Sequence, residues 1–257
     1  MEKFIGIIPA RYASSRFPGK PLAKIGEMTM IERVWRQARK ALDLAVVATD
    51  DLRIYEAVKA FGGDVVITGE HHRSGTDRCY EAYCNIGSDA SVIINIQGDE
   101  PFIHPDQIEE IKQCFVDPET QIATLVRRFD PAKGFEALAD NTKPKVVFDN
   151  RSFALYFSRS VIPFVRGAET DDWASKHTYY QHVGMYAYRA ETLKEITRLP
   201  QSSLELAESL EQLRWLENGY KIKVGITEHE TIGIDTPEDL AKTLTLLTTD
   251  RYANRQK

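Results

Sequence analysis

The amino-acid sequence predicts an α/β protein: a mostly parallel, twisted sheet flanked by helices, with an inserted β-containing subregion. Two observations carry this expectation. Through the first half, short β-branched runs alternate with helical patterns, which makes βαβ units and a parallel sheet. The runs are also nearly continuous in apolar residues, as strands covered on both faces are.

In chain order, Phe4–Ile8, Leu44–Ala48, Asp64–Ile67, Ser91–Ile96 and Gln121–Val126 read as buried strands. The first helix opens on Thr29 with Glu32 three residues on, a capping-box pair. It then places Ile31, Val34, Trp35, Ala38 and Leu42 at helical spacing. Further helical stretches cover Leu52–Phe61, Thr76–Ile86 and Pro105–Phe115. The second half is less regular. Lys145–Phe148 and Phe153–Phe157 read as a hairpin around Asp149-Asn150-Arg151-Ser152. Val161–Tyr180 is polar, aromatic and non-periodic, which predicts a long loop or flap. A strand over His182–Tyr188, helices near Glu191–Arg198 and Leu204–Asn218, and a strand near Lys221–Ile226 follow. The last helix opens at Thr236-Pro237-Glu238, an N-cap with Pro at the first helical position. With no internal repeat and no Gly/Ser linker, the expectation is a single domain over 1–257 with an excursion at roughly 140–190.

Composition narrows the function classes. An apolar fraction of 42% supports a substantial core and excludes a disordered chain. No run approaches the roughly 20 apolar residues of a membrane span, and the opening residues are interrupted too soon for a secretory leader. Cys79, Cys84 and Cys114 are odd in number and form no C-x-x-C pair, which argues against a disulfide framework or structural zinc. A cytoplasmic, reduced protein is the simplest reading. The net charge of −5 disfavours nucleic acid, whose phosphates need a basic footprint. Yet between Lys3 and Glu27 stand Arg11, Arg16, Lys20 and Lys24 without one acid, which suits a small polyanionic ligand.

Those cations lie in the loop after the first strand, Pro9 to Pro21. In an open parallel sheet ligands bind beyond the carboxyl ends of the strands. Small residues there let backbone N–H groups approach phosphate oxygens, while Arg11, Arg16 and Lys20 supply charge. Lys20 is followed by Pro21 rather than Ser or Thr, so the loop is not a Walker A motif, and with Gly19 its one glycine it is not G-x-G-x-x-G either. The bland alternative is an exposed basic loop, and three uncompensated cations after a buried strand weaken it. Asp99 ends the fourth strand in Gln97-Gly98-Asp99-Glu100-Pro101, where a carboxylate facing a polyphosphate can hold Mg²⁺ and, taken alone, could equally cap a helix or turn; a second aspartate favours the metal. Asp235 ends a β-like segment, Ile232-Gly233-Ile234-Asp235, with Thr236 already suited to cap the following helix. The two aspartates share one metal if their strands lie close together.

Pro9–Leu22, His72–Arg78, Asn95–Pro101, Tyr156–Arg159, His182–Tyr186, Leu210–Arg214 and Gly233–Asp239, in that order, resemble the motifs of the 3-deoxy-manno-octulosonate (Kdo) cytidylyltransferases. This family belongs to the sugar nucleotidyltransferases, with a Rossmann-type fold. The resemblance spans nearly the whole chain. It implies transfer of CMP from CTP to Kdo with release of pyrophosphate, the activation step for lipopolysaccharide, in a Mg²⁺-dependent cytoplasmic homodimer. By matching position, Arg11, Ser14 and Lys20 contact the triphosphate, with Arg16 in the same loop. Arg73, Ser74 and Gln97 surround the cytidine, and Asp99 with Asp235 holds Mg²⁺. Arg159, His182, Tyr186, Glu211 and Gln212 line the sugar pocket.

The residue chemistry is compatible with these assignments. Arg159 offers a planar fork for a carboxylate, although a surface arginine after a strand is the plainer reading. His182 and Tyr186 are four apart and share one face of a strand, where core packing is the alternative. On the Leu204–Asn218 helix, Leu206, Leu210 and Leu213 are expected to form the buried stripe. Glu208, Glu211 and Trp215 fall on a neighbouring face with Gln212 beside it. Cys79 and Cys84 are expected to pack on their helix. His71, His104, His177 and His229 show no metal-ligand spacing. Rival readings are an enzyme for sialate or an amino-substituted Kdo, and a catalytically silent nucleotide-binding regulator. The latter would be expected to lack one of the two aspartates.

Overall fold

The computed structural model describes residues 2–13 and 16–248, which form two compact units. The first unit comprises Lys3–Pro105 and the C-terminal stretch from Thr231. Its sheet is wholly parallel, in the order Val92–Asn95, Phe4–Ala10, Ala45–Thr49, Asp64–Ile67. Phe4–Ala10 is central: Ile5 pairs in register with Ile93 on one side, and Ile7 with Val46 on the other. Ile5, Ile7, Ile8, Val47, Ile93 and Ile94 are essentially inaccessible to water, so the continuous apolar runs mark strands buried on both faces. Full burial of each such side chain contributes about 1.5–3 kcal/mol.

Helices Met30–Ala38, Leu52–Ala60, Gly75–Ile86 and Pro237–Thr248 belong to this unit. Side-chain caps fix three of their starts, the first as the Thr29 signal predicts. Thr29 Oγ1 accepts from Glu32 N at 3.3 Å, Asp51 from Arg53 N, and Ser74 Oγ from Asp77 N at 3.1 Å. Cys79 is buried on its helix, whereas Cys84 is exposed, against expectation, because it lies on the face turned from the sheet side occupied by Cys79 and Ala82.

The second unit holds Asp106–Glu230. Here Ile122–Arg128 pairs parallel with Ile222–Thr227 and antiparallel with Tyr180–Arg189. Lys145–Phe148 and Ala154–Ser158 form the expected hairpin. Its turn is fixed by Asp149 Oδ1, which accepts from Arg151 N and Phe153 N, both at 2.8 Å.

Two expectations in this unit need correction. Residues 161–180 are not simply a flap. They contain the short helix Trp173–Lys176, and Trp173 and Tyr179 are buried in a cluster with Phe129 and Leu138. Aromatic residues without periodicity were reporting anchorage rather than a solvated loop. The expected Leu204–Asn218 helix is two helices, Ser203–Glu208 and Glu211–Glu217. Ser209 adopts a left-handed conformation (φ 51°) between them, which rotates the second helix out of phase with the first. Leu206 is therefore exposed, and Trp215 and Gln212 are buried beside Leu213.

Candidate active site

Parallel strands deliver their following loops to one edge, and the neighbouring strands Phe4–Ala10 and Val92–Asn95 deliver two of them side by side. The first loop carries the basic residues. Gly19 N donates to Tyr12 O at 2.9 Å and closes it. The Arg53 guanidinium lies 3.3 Å from the Tyr12 ring centroid and is held by both oxygens of Asp51. After Gly19 the chain enters a single 3-10 turn, Lys20–Leu22, anchored by buried Pro21. Lys20 is thereby turned inward, with its side chain only 14% exposed. Ser14 lies outside the described residues.

The second loop carries Asp99. Gly98 is needed for close approach, since a Cβ there would lie 2.8 Å from the Pro9 carbonyl oxygen. Asp235 arrives by a different route from that expected, because residues 232–235 form no strand. One backbone bond, Ile234 N to Asp99 O at 2.9 Å, brings the two aspartates together. Ile234 is fully buried with Ile25, Met30 and Phe102, and this packing replaces a ladder. The cap of the last helix is complete without Asp235. Thr236 Oγ1 accepts from Asp239 N, and Asp239 Oδ2 accepts from Thr236 N and Asp235 N. The Asp235 carboxylate is thus left for other work.

Lys20 Nζ donates to Asp99 Oδ2 at 2.7 Å and to Asp235 Oδ1 at 3.1 Å. Arg16 Nη1 reaches Asp235 Oδ2 at 3.1 Å. Around them opens a cleft of about 250 Å³. It is lined by Arg11, Arg16, Lys20, Arg73 and Arg78, with Asp99 and Asp235 the acids, and also by Ser74 and Gln97. The loop cations, cytidine-side residues and aspartates expected from sequence therefore share one cavity. The excess of cations, with the amino end of the Gly75–Ile86 helix, gives the cleft an electropositive lining that favours anions. Ser74 is also the cap of that helix.

Sequence reasoning missed Arg78 and Glu100. Arg78 is nearly inaccessible and donates to Asp50 Oδ2 and Thr68 Oγ1, both at 2.6 Å. A buried arginine in the first turn of an amphipathic helix carries no periodic signature. Glu100 has a buried Oε2 without a hydrogen-bond partner. Burial, and then the neighbouring Asp99 charge, push its pKa up to about 8.

The residues expected to bind the sugar lie in the second unit. A bulge in Tyr180–Arg189 separates His182, opposite Val126, from Tyr186, opposite Thr124. It adds an even number of residues, so both side chains keep the same face, with ring centroids 5.2 Å apart. His182 Nε2 lies 2.9 Å from Thr124 Oγ1, whose own hydrogen is directed at the Met185 carbonyl at 2.8 Å. That network assigns the Nε2–H tautomer to His182. Burial drops the His182 pKa to about 4. Burial also raises the Tyr186 pKa, with the Tyr188 and Glu211 charges adding to it. Trp215 packs edge-on to Tyr186 at 5.1 Å, and Trp215 Nε1 and Gln212 Nε2 are buried without hydrogen-bond partners. Glu211 is paired with Arg214 Nη2 at 2.7 Å. Arg159 is placed differently from the others. Its guanidinium donates to the carbonyls of Glu208, Asn141 and Ser209, which fixes the carboxyl end of the Ser203–Glu208 helix.

The chain matches the cytidylyltransferase family over residues 5–222. It is 65% identical over 248 residues to a 3-deoxy-manno-octulosonate cytidylyltransferase of Parabacteroides distasonis, covering 96% of this chain and 99% of the relative. One from Phocaeicola vulgatus is 66% identical, over 93% of this chain and 95% of the relative. A solved structure of CMP:2-keto-3-deoxy-manno-octonic acid synthetase complexed with CTP superposes with a TM-score of 0.87 at 42% identity. It covers 97% of this chain and 100% of that one. Identity at this level over nearly the full length, with the α/β fold in common, means that the chain belongs to the cytidylyltransferase family, among its 3-deoxy-manno-octulosonate members.

Proposed function

We propose that this protein transfers CMP from CTP to the anomeric hydroxyl of Kdo and releases pyrophosphate. The observation that carries the reading is Lys20 bridging Asp99 and Asp235 in a cleft with an excess of arginines. In the reaction the hydroxyl oxygen forms a bond to the α-phosphorus. The bond from that phosphorus to the β-phosphate oxygen breaks, and the hydroxyl proton is released. Such displacements depend mainly on positioning and charge stabilisation. Arg11, Arg16 and Lys20 neutralise the charge that builds on the leaving pyrophosphate. Arg73, Ser74 and Gln97 hold the cytidine end, and Arg78 keeps that wall of the cleft in place through Asp50 and Thr68.

Asp99 and Asp235 are the residues that would hold Mg²⁺. Their fit is supported by the donor chemistry, two carboxylates converging on one cation, here the Lys20 ammonium. When bound, the ion supplies Lewis-acid stabilisation of charge on the reacting phosphate. His182, Tyr186, Glu211 and Gln212 supply donors and acceptors for the sugar hydroxyls, with Arg159 at the carboxylate end. The reading extends to a cytoplasmic homodimer and to a single nucleotidyltransferase domain over 1–257. A monomer by sedimentation at catalytic concentrations would remove the dimer from it. Among the described residues no helix is long and apolar enough to cross a membrane.

The test is pyrophosphate release from CTP with Mg²⁺, offering Kdo, an 8-amino Kdo analogue and N-acetylneuraminate in parallel. Release with Kdo alone is expected. Release with another acid instead would keep the reaction and move the error to the second unit's pocket. CTP binding without release from any of the three would refute the reading.

A further inference from the structure

We propose that His71, His72 and Glu81 form a binding site for a divalent transition-metal ion of the zinc class, built from residues other than the Asp99–Asp235 pair. The sequence gives no ligand spacing for these histidines, because the third partner stands on the following helix. The fold closes that distance: one nitrogen from each imidazole and one Glu81 oxygen all lie within 4.8 Å of one another. Two imidazoles and one carboxylate suit zinc, cobalt or nickel, whereas magnesium prefers oxygen donors throughout. Three protein ligands leave a coordination position for water.

The carboxylate is held ready. Gly69 N donates to both Glu81 oxygens at 3.1 Å. Asn85 Nδ2, fixed on the Ile67 carbonyl at 3.2 Å, reaches Glu81 Oε1 at 3.5 Å. Oriented ligands of this kind raise metal affinity. His72, whose side chain is only 9% exposed, already hydrogen-bonds Glu81 through Nε2. The His71 ring stands 4.3 Å from the His72 ring, centroid to centroid. It folds back over Gly69, so that any side chain at position 69 would displace it. Tetrahedral zinc with bonds of about 2.0–2.2 Å needs ligand atoms roughly 3.3–3.5 Å apart. Exposed His71 is free to rotate the remaining distance. Because His72 also lines the nucleotide cleft, the ion would sit at the cleft's rim and pin the segment that carries Arg73 and Ser74.

Calorimetric titration of the full-length protein with zinc chloride, in excess Mg²⁺ and without nucleotide, tests the site. One zinc per chain is expected. His71→Ala and Glu81→Gln should each weaken binding about tenfold or more, while Cys84→Ser, on the same helix, leaves it unchanged. Cobalt in place of zinc should give visible absorption bands that His71→Ala abolishes. His71→Ala should keep its folding midpoint and its Mg²⁺-supported pyrophosphate release. Unchanged zinc affinity in both ligand variants would overturn the proposal. So would loss of binding in Asp99→Asn but not in His71→Ala, or no saturable binding by the unaltered protein.

Discussion

Lys20→Met isolates the electrostatics of the site. Methionine keeps most of the volume and removes the charge that Asp99 and Asp235 share. The two carboxylate oxygens that contact Nζ at 2.7 and 3.1 Å lie within about 6 Å of each other. At that separation Coulomb repulsion is about 0.7 kcal/mol in bulk water and about 3 kcal/mol at an effective dielectric constant of 20. Their side chains are 32% and 46% exposed, so the repulsion falls between these limits. Arg16 remains on Asp235 and offsets part of it. With the lost ion-pair hydrogen bonds, Lys20→Met should destabilise the first unit by about 2 kcal/mol in the absence of divalent cations. Adding Mg²⁺ should recover more stability in the variant than in the parent, because the metal no longer competes with an ammonium. Turnover should fall by about 10²–10³ as a charge-stabilising donor is lost. Urea unfolding with and without MgCl₂ measures the first two effects. A variant within about 0.5 kcal/mol of the parent, with no extra gain from Mg²⁺, would refute the shared-cation account.

Four further outcomes are expected. Asp99→Ala and Asp235→Ala should each lower turnover by orders of magnitude while circular dichroism stays native, and near-normal rates in both would end the metal proposal. Gly98→Ala should cost about 1–3 kcal/mol and lower kcat, since the new methyl meets the Pro9 carbonyl oxygen; an unchanged thermal midpoint would show that the backbone yields. Arg78→Met should cost about 3–5 kcal/mol by stranding Asp50, and Asp50→Asn in the same chain should recover part of it; a cost under about 1 kcal/mol would contradict the burial argument. The His182 pKa of about 4 lies below its unfolded value of 6.5, so the unfolded chain binds more protons as pH falls. Its contribution to stability is whole above pH 6.5 and is lost progressively towards pH 4, by at most about 3 kcal/mol. His182→Gln should flatten that part of the pH profile, and an identical profile would exclude a buried neutral imidazole.

What was legible in the sequence follows from what local pattern can report. The unbroken apolar runs at Phe4–Ile8 and Ser91–Ile96 marked strands covered on both faces, and parallel pairing then obliged their loops to meet. Arg11, Arg16, Lys20 and Asp99 could be read for that reason. Asp235 was found for a partly mistaken reason, since Ile232–Asp235 looks β-like but is held by one backbone bond and the burial of Ile234. Periodicity registers that Ile234 is apolar and is silent about what covers it. The break at Ser209 was hidden for a related reason: a non-glycine residue with positive φ is stabilised by its surroundings, here the carbonyls that Arg159 binds. Arg159 shows what that concealment implies for function. Three of its N–H groups are engaged with backbone carbonyls, so a substrate carboxylate has only the remaining donors to use. Replacing it would therefore disturb the helix that precedes Glu211 and Gln212 along with any contact to the sugar. A loss of Kdo affinity in Arg159→Ala would count as evidence for a direct contact only if Arg159→Lys, which cannot reproduce the fork, kept the helix and still lost the sugar.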